Sequence, residues 1–428
     1  MGKILIRSGM APFEQHTIDE ILLKDLIGRN SGNLIYQYGV YRALMREDTQ
    51  FVSSFFGREQ FTDEQIDRIN AEFECVILPM ANSFRLKSGI KKYTAFMKRM
   101  KIPCIVLGIG LQAPDASKIE DGFPFDDKAR DFVRAALDHS ALIGLRGENT
   151  ARYLRHLGFA EDRHFTVIGC PSMFAFGGEL PRPRVADLNV SSRISVNGLP
   201  GDDKPRNLWL RDVLRAYDDH YYVFQQVGEL NMIHYGTPIY TTSRAGRDGN
   251  GFYPRTGLHP DVKAGRALGF VSARDWYRFM AGVTFSFGER IHGNLAAVLS
   301  GTPALVLTTD TRTEELSEYF EVPHIPAADI QSGTDLRTLY EKCDFDAPRR
   351  GHMARFQHYV DFLNANSLPH IWRDSLAPGE TAFDRAMAAL PETGTVVRSG
   401  PLPLSRRATG LKLLADGISR VLKRQRKS

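Results

Sequence analysis

Over the first 175 or so residues of the chain, short apolar or β-branched runs alternate with stretches whose apolar positions recur every three or four residues. The runs predict strands over Lys3 to Arg7, Glu74 to Pro79, Cys104 to Gly108, Ala141 to Leu145 and Phe165 to Ile168. Helical spacing predicts helices over Leu34 to Met45, Gly89 to Met100, Asp126 to Leu137 and Glu148 to Leu157. Such alternation implies parallel βαβ units and a sheet covered on both faces. The pattern lapses at Gly177-Gly178, Pro181 and Pro183, and then a second cycle begins. Its strands are Arg193 to Asn197, Tyr221 to Gln226, Val283 to Ser286 and Ala304 to Leu307. Its helices are Asn207 to Asp219, Asp275 to Ala281 and one starting at Arg290. Ser272-Ala-Arg-Asp275 resembles a capping box and fixes one helix start. Thr237 to Lys263 is long, glycine-rich and aromatic, a loop of the kind that carries function. Helical spacing returns over Arg349 to Asn364 and near Ala377 to Ala389.

The expected fold is therefore α/β, with two doubly wound (Rossmann-like) domains facing a cleft. The N-terminal domain spans 1–178, a linker 179–192 and the C-terminal domain 193–345; helices over 346–392 return toward the first domain, and 393–428 form a tail. A hydrophobic share of 43% and a charged share of 25% exclude disorder, collagen and a small disulfide scaffold. The longest uncharged run, Ile291 to Thr309, contains His292, Asn294, Gly301 and Pro303, so it reads as helix, turn and strand and not as a membrane span. Met1 to Arg7 reads as a first strand and not as a secretory signal, so a cytosolic location is expected. The four cysteines lie far apart, and Cys75 and Cys104 sit in apolar runs, where a free thiol packs as a small hydrophobe.

Charge changes the picture only at the end of the chain. The formal net charge is +5, and residues Arg406 to Ser428 hold eight Lys/Arg against one Asp, so the rest is slightly acidic. General nucleic-acid binding has little support. In the tail, Leu411, Leu413, Leu414, Ile418, Val421 and Leu422 interleave with basic residues, although Gly417 weakens the pattern. It suits either an anionic membrane surface or a solvated terminus.

The richest segment runs from Phe285 to Leu307: a strand, a turn at Gly288, a helix, a break at Ser300-Gly301-Thr302-Pro303 and a second buried strand. It places Arg290 and His292 at the carboxyl end of a parallel strand and the amino end of a helix, where α/β sheets bind anions. Arg146 ends another strand just ahead of a helix. Arg312 and Glu315 follow the next strand; they either reach a ligand or serve the helix start. Gly108-Ile-Gly-Leu-Gln-Ala113 matches the dinucleotide fingerprint, but Pro114 and Asp115 stand where its helix should continue. A turn lining the cleft, with Gln112 as a polar contact, fits better.

Arg290-Ile-His292, Asn294, the small-residue helix and Thr302-Pro-Ala-Leu-Val-Leu together resemble the signature of the polysaccharide pyruvyl transferase family. Asn30-Ser-Gly-Asn33, Ile105 to Gln112 and Ile143 to Leu154 follow the same order, so the resemblance covers roughly 25 to 320. It implies a glycosyltransferase-B-like pair of domains, acceptor side first and donor side second. It also implies transfer of the enolpyruvyl group of phosphoenolpyruvate onto two sugar hydroxyls as a cyclic ketal. The sugar would belong to a polysaccharide or lipid-linked oligosaccharide, and no cofactor or metal is expected. The donor's carboxylate and phosphate call for two cationic or N–H-rich subsites, to which Arg290 and Arg146 are assigned. His292 is either the acid that protonates C3 or an imidazolium holding the departing phosphate. Asn294, Asn33, Gln112 and Arg312 are the other substrate contacts, and Glu289 is either the base for the sugar hydroxyl or solvated. The chain departs from the family in placing Asn30 to Asn33 later, and in lacking an acidic residue in Cys170-Pro-Ser-Met-Phe174. The rival readings are a nucleotide-sugar glycosyltransferase in the same cleft and a non-catalytic, membrane-peripheral subunit of a polysaccharide assembly complex. On the leading reading the enzyme is cytoplasmic, either free or peripheral on the membrane's inner face, with residues Arg406 to Ser428 as the contact in the second case.

Overall fold

The computed structural model describes residues 2–55, 61–198, 205–239, 253–391, 396–398 and 402–425. The first half contains β1 (Gly2–Ile6), β2 (Thr49–Ser53), β3 (Cys75–Pro79), β4 (Cys104–Leu107), β5 (Ile143–Leu145) and β6 (Phe165–Val167). β3 and β4 are buried at every position, which is why they read as unbroken apolar runs. The parallel order is β2-β1-β3-β4, and β5 pairs with β6. A bridge between Ile109 and Leu145, and an Arg146 N–H donated to Ile109 O at 2.9 Å, join that pair to the β4 side.

The second half contains β7 (Ile194–Val196), β8 (His220–Phe224), β9 (Ala267–Phe270), β10 (Phe285–Gly288), β11 (Ala304–Thr308), β12 (His324–Pro326) and β13 (Val396–Arg398). Their order is β12-β11-β10-β7-β8-β9-β13, parallel except for β13, which is antiparallel to β9. The first six strands have the doubly wound order, which reverses between β7 and β10; ligands bind such sheets outside the carboxyl ends at that point. In the first sheet the reversal lies between β1 and β3. The larger apolar core runs from Ile35 and Tyr41 to Leu295 and Leu299, so the two halves share it.

Every predicted strand is present, shifted by a residue or two, and Ser272 caps the Ala273–Ala281 helix as expected. The pattern missed β2, β9, β12 and β13 and, among the helices, Ile18–Leu23, Asp63–Glu72, Val227–Tyr235 and Leu336–Glu341. Of the loop expected over Thr237 to Lys263, residues 240–252 lie outside the described set, and the remainder ends in the short helix Pro260–Lys263. The later helices meet the first half. Ile371 N–H donates to Ala43 O, Arg42 forks onto Asp384 with both bonds at 3.0 Å, and Phe383 packs edge-on against Tyr38. The tail contains a helix, Leu404–Gln425, whose Gly410 sits against the Tyr235 carbonyl. All four cysteines are free, and no described helix is long and apolar enough to cross a membrane.

Two buried histidines give the fold a pH dependence. Burial pushes the His352 and His370 rings down to about 4, whereas an unfolded imidazole titrates near about 6.5. Between those values the unfolded chain binds protons that the folded chain refuses, so this contribution is intact above about pH 6.5 and is lost as pH falls toward 4. The urea midpoint should therefore hold steady from about pH 8 to 7 and drop below about 6.5, with a shallower drop in His352→Gln/His370→Gln. A wild-type midpoint that stays flat or rises between about pH 6.5 and 5 would contradict this.

Candidate functional site

The second sheet builds its side of the site at the β7/β10 reversal. β10 ends at Gly288 with φ 133°, where a Cβ would lie 2.6 Å from Asn197 O, so only glycine lets the turn form. The helix Ile291–Leu299 follows, and a Cβ on its Gly293 would lie 2.0 Å from Asn197 Oδ1. Its first turn thus rests directly on the end of β7. Asn294 holds this arrangement: Oδ1 accepts from Ser286 Oγ at 2.9 Å and Asn197 Nδ2 at 3.2 Å, while Nδ2 donates to Gly288 O at 2.9 Å. Asn294 is fully buried, and both ends of its amide are engaged by the turn.

Arg290 is also engaged. Its Nε donates to Gly198 O at 2.8 Å and its Nη2 to Glu229 Oε1 at 2.5 Å, and both partners of the ion pair are buried. Glu229 in turn accepts the N–H groups of Gln225 and Gln226 and the hydroxyl of Tyr253. The adjacent Glu289 is buried, so it is not a solvated carboxylate.

From the first sheet comes Arg146, at the carboxyl end of β5 and fully buried. Its guanidinium lies 5.7 Å from the Tyr36 ring centroid, and its Nη2 is 3.9 Å from Cys170 Sγ. Its Nε has no hydrogen-bond partner, and no ion pair of Arg146 occurs among the described residues. Across from it, His292 Nε2 is 3.8 Å from the same sulfur. The helix Gly32–Leu44 points its amino end here too, because a Cβ on Gly32 would lie 3.0 Å from His292 Cβ. Ser31, at the N-cap of that helix, has a buried hydroxyl without a partner. Two helix amino ends, a cation and an imidazole therefore converge, which is a setting for an anion.

The remaining expected residues lie around this centre. Arg312 reaches Asp310 at 3.4 Å, and its buried Nε has no partner. Gln112 spans the two halves, donating to Asp310 Oδ2 at 3.1 Å and accepting from Asn82 and Arg85. Asn33 turns away, donating to the carbonyls of Ile27 and Gly28. Glu315 bonds Thr150 through the backbone N–H and the hydroxyl, each at 2.9 Å. So the structure brings Arg146, His292 and Arg312 together, and gives Asn294, Asn33 and Arg290 neighbours that already use their polar groups.

Desolvation by the surrounding protein, then Arg146 and Arg312, hold His292 well below its usual value, so the ring is neutral near pH 7. Burial also lowers Arg312 and pushes Glu315 up to about 8. Arg85 is lowered by burial and by Arg312 and Arg7. An anion placed here would relieve this repulsion among cations. Sequence reasoning missed Arg7, Arg85, Tyr36, Ser31 and Glu229. Arg7 and Arg85 follow β1 and β3, the strands flanking the first sheet's reversal, which is the one signal that could have found them.

The polysaccharide pyruvyl transferase family, compared as a sequence profile, matches residues 84–311. No curated protein matches the chain. Among solved structures, a putative UDP-N-acetylglucosamine 2-epimerase from Listeria monocytogenes is 13% identical with a TM-score of 0.44, covering 85% of this chain and 94% of its own. The Neisseria meningitidis UDP-GlcNAc 2-epimerase bound to UDP-GlcNAc is 12% identical with a TM-score of 0.43, covering 86% and 100%. Anabaena HepE in complex with UDP-glucose is 11% identical with a TM-score of 0.40, covering 91% and 98%. At these levels the likeness decides nothing about the ligand of this chain.

The hydrogen bonds of Asn294 predict a large cost for losing its amide. Asn294→Leu leaves Asn197, Ser286 and the Gly288 carbonyl short of partners, and should lower unfolding free energy by on the order of 3 kcal/mol in urea titration. A loss under about 1 kcal/mol would show that the turn does not depend on it.

Proposed function

The chain belongs to the polysaccharide pyruvyl transferase family, and from that premise we propose that it transfers the enolpyruvyl group of phosphoenolpyruvate to a sugar of a polysaccharide or lipid-linked oligosaccharide. The observation that carries this reading is Arg146: a fully buried guanidinium with an unpartnered Nε, facing His292 where two helix amino ends meet. Phosphoenolpyruvate has two anionic groups. Arg146 forks onto one, and the amino ends of Gly32–Leu44 and Ile291–Leu299 receive the other, with Arg312 on the rim. The neutral His292 accepts the proton of the attacking sugar hydroxyl. Arg290 holds the turn that carries His292, through Glu229 and Gly198.

The C-terminal helix supports a peripheral site of action. One side packs on Val227–Tyr235, while Leu404 is 82% and Leu411 69% exposed, close to the exposed Arg407 and Lys412. An apolar stripe flanked by cations suits the surface of an anionic membrane.

Calorimetric titration with phosphoenolpyruvate should show binding that weakens at least about 100-fold in Arg146→Met, while unfolding stays cooperative. Arg146 is a better target than Arg290, because Arg290→Ala would strand the buried Glu229 and cost about 3–5 kcal/mol of stability. Binding of a nucleoside diphosphate in place of phosphoenolpyruvate would overturn the reading in favour of a glycosyltransferase. In a separate assay, the protein should sediment with vesicles containing phosphatidylglycerol and not with pure phosphatidylcholine, and Leu411→Glu should weaken that association. Equal sedimentation with both vesicle types, or none with either, would remove the membrane from the proposal.

A further inference from the structure

Just after β6 the chain places a thiol in the centre of the site, and the roles assigned so far leave it without a task. Cys170 is fully buried. Its Sγ lies 3.8 Å from His292 Nε2 and 3.9 Å from Arg146 Nη2, and Ser172 Oγ donates to it at 3.0 Å. A cysteine packed only as a small hydrophobe needs no polar neighbours. Two further buried polar atoms without partners, Arg146 Nε and Ser31 Oγ, mark the same centre as a ligand site. Tyr36 donates its hydroxyl proton to Leu107 O at 2.5 Å, and the Glu315 carboxyl is held against Thr150, which donates to it through its N–H and its hydroxyl.

We propose that Cys170 is the acid that protonates C3 of the enolpyruvyl group and that His292 recharges it; this rests on the reading of the site as one for phosphoenolpyruvate. The thiol gives its proton to C3, and the electron pair of the C2=C3 double bond forms the new C–H bond, making a methyl group. A lone pair of the first sugar hydroxyl forms the C–O bond at C2, and the proton of that hydroxyl passes to His292. The imidazolium returns a proton to the thiolate across the 3.8 Å gap, restoring both groups. The second hydroxyl then forms its own bond to C2 as the C2–O bond to phosphate breaks. The bonding pair leaves with phosphate, which also carries away that hydroxyl's proton. One phosphoenolpyruvate and two hydroxyls give one ketal and one phosphate. Ser172, Arg146 and the imidazolium of His292 lie around the sulfur and stabilise the thiolate left behind.

The probe is 3-bromopyruvate, whose carboxylate seeks the same cationic site and whose C3 is electrophilic. A thiolate facing that carbon forms an S–C bond and expels bromide. Incubated with the full chain and analysed by peptide mass spectrometry, bromopyruvate should label Cys170 ahead of the other three cysteines. Saturating phosphoenolpyruvate should suppress the labelling, and Cys343→Ser should leave it intact. His292→Gln should slow it about tenfold or more near pH 7 and move its pH profile, because the ring that takes the thiol's proton is gone. Phosphoenolpyruvate binding without labelling of Cys170, or labelling that ignores His292, would overturn the proposal and leave the functional reading standing. Failure of phosphoenolpyruvate to bind the wild-type chain would overturn both.

Discussion

A carboxyl group from one half of the chain caps a helix of the other, and the centre of the molecule is built around that contact. The helix Glu148–His156 starts at Gly147, which has no side chain to satisfy the first N–H groups. Glu315 reaches across from the helix Thr311–Tyr319 and accepts the Thr150 N–H. Nearby, Thr311 exchanges hydrogen bonds with Leu111 and Ala113, and Asn149 donates to Glu314. Gly147 allows this approach, since a Cβ there would lie 2.6 Å from Glu315 Cβ. With these partners made across the boundary, the carboxyl ends of the two sheets stay face to face, and Arg146 stays opposite His292.

That apposition sets the electrostatics. Arg146 and Arg312 are held near one another and away from water, with the Asp310 carboxylate beside Arg312. The imidazole responds by remaining neutral. A dianion entering the site would offset much of this positive charge and raise the proton affinity of the ring. The protonation of His292 would then depend on an anion bound beside it as well as on the protein around it.

The sheets were legible because buried parallel strands are continuous apolar runs, as in Cys75–Pro79 and Ala304–Thr308. Elements that escaped carry a different signature. Thr49–Ser53 is an edge strand with no fully buried position, and Ala267–Phe270 contains a glycine that lowers its strand character. At the site, Arg146 and His292 could be read from where strands end and helices begin. The engagement of Arg290 could not, since its partner Glu229 is 61 residues away in a helix whose pattern gave no signal. Asn294 was visible as part of a motif, but the side chains it holds come from β7 and β10 and meet only in three dimensions.

The outermost strand of the second sheet has an implication for biosynthesis. β13 covers the edge of β9, yet it lies over 120 residues further along the chain. During translation the parallel strands β7 to β12 are all made before their last neighbour emerges. Until then the N–H and C=O groups of β9 on that side are open to any extended segment, including β9 of a second nascent copy. β13 is thus an edge guard whose arrival ends the period in which neighbouring ribosomes can produce intermolecular pairing.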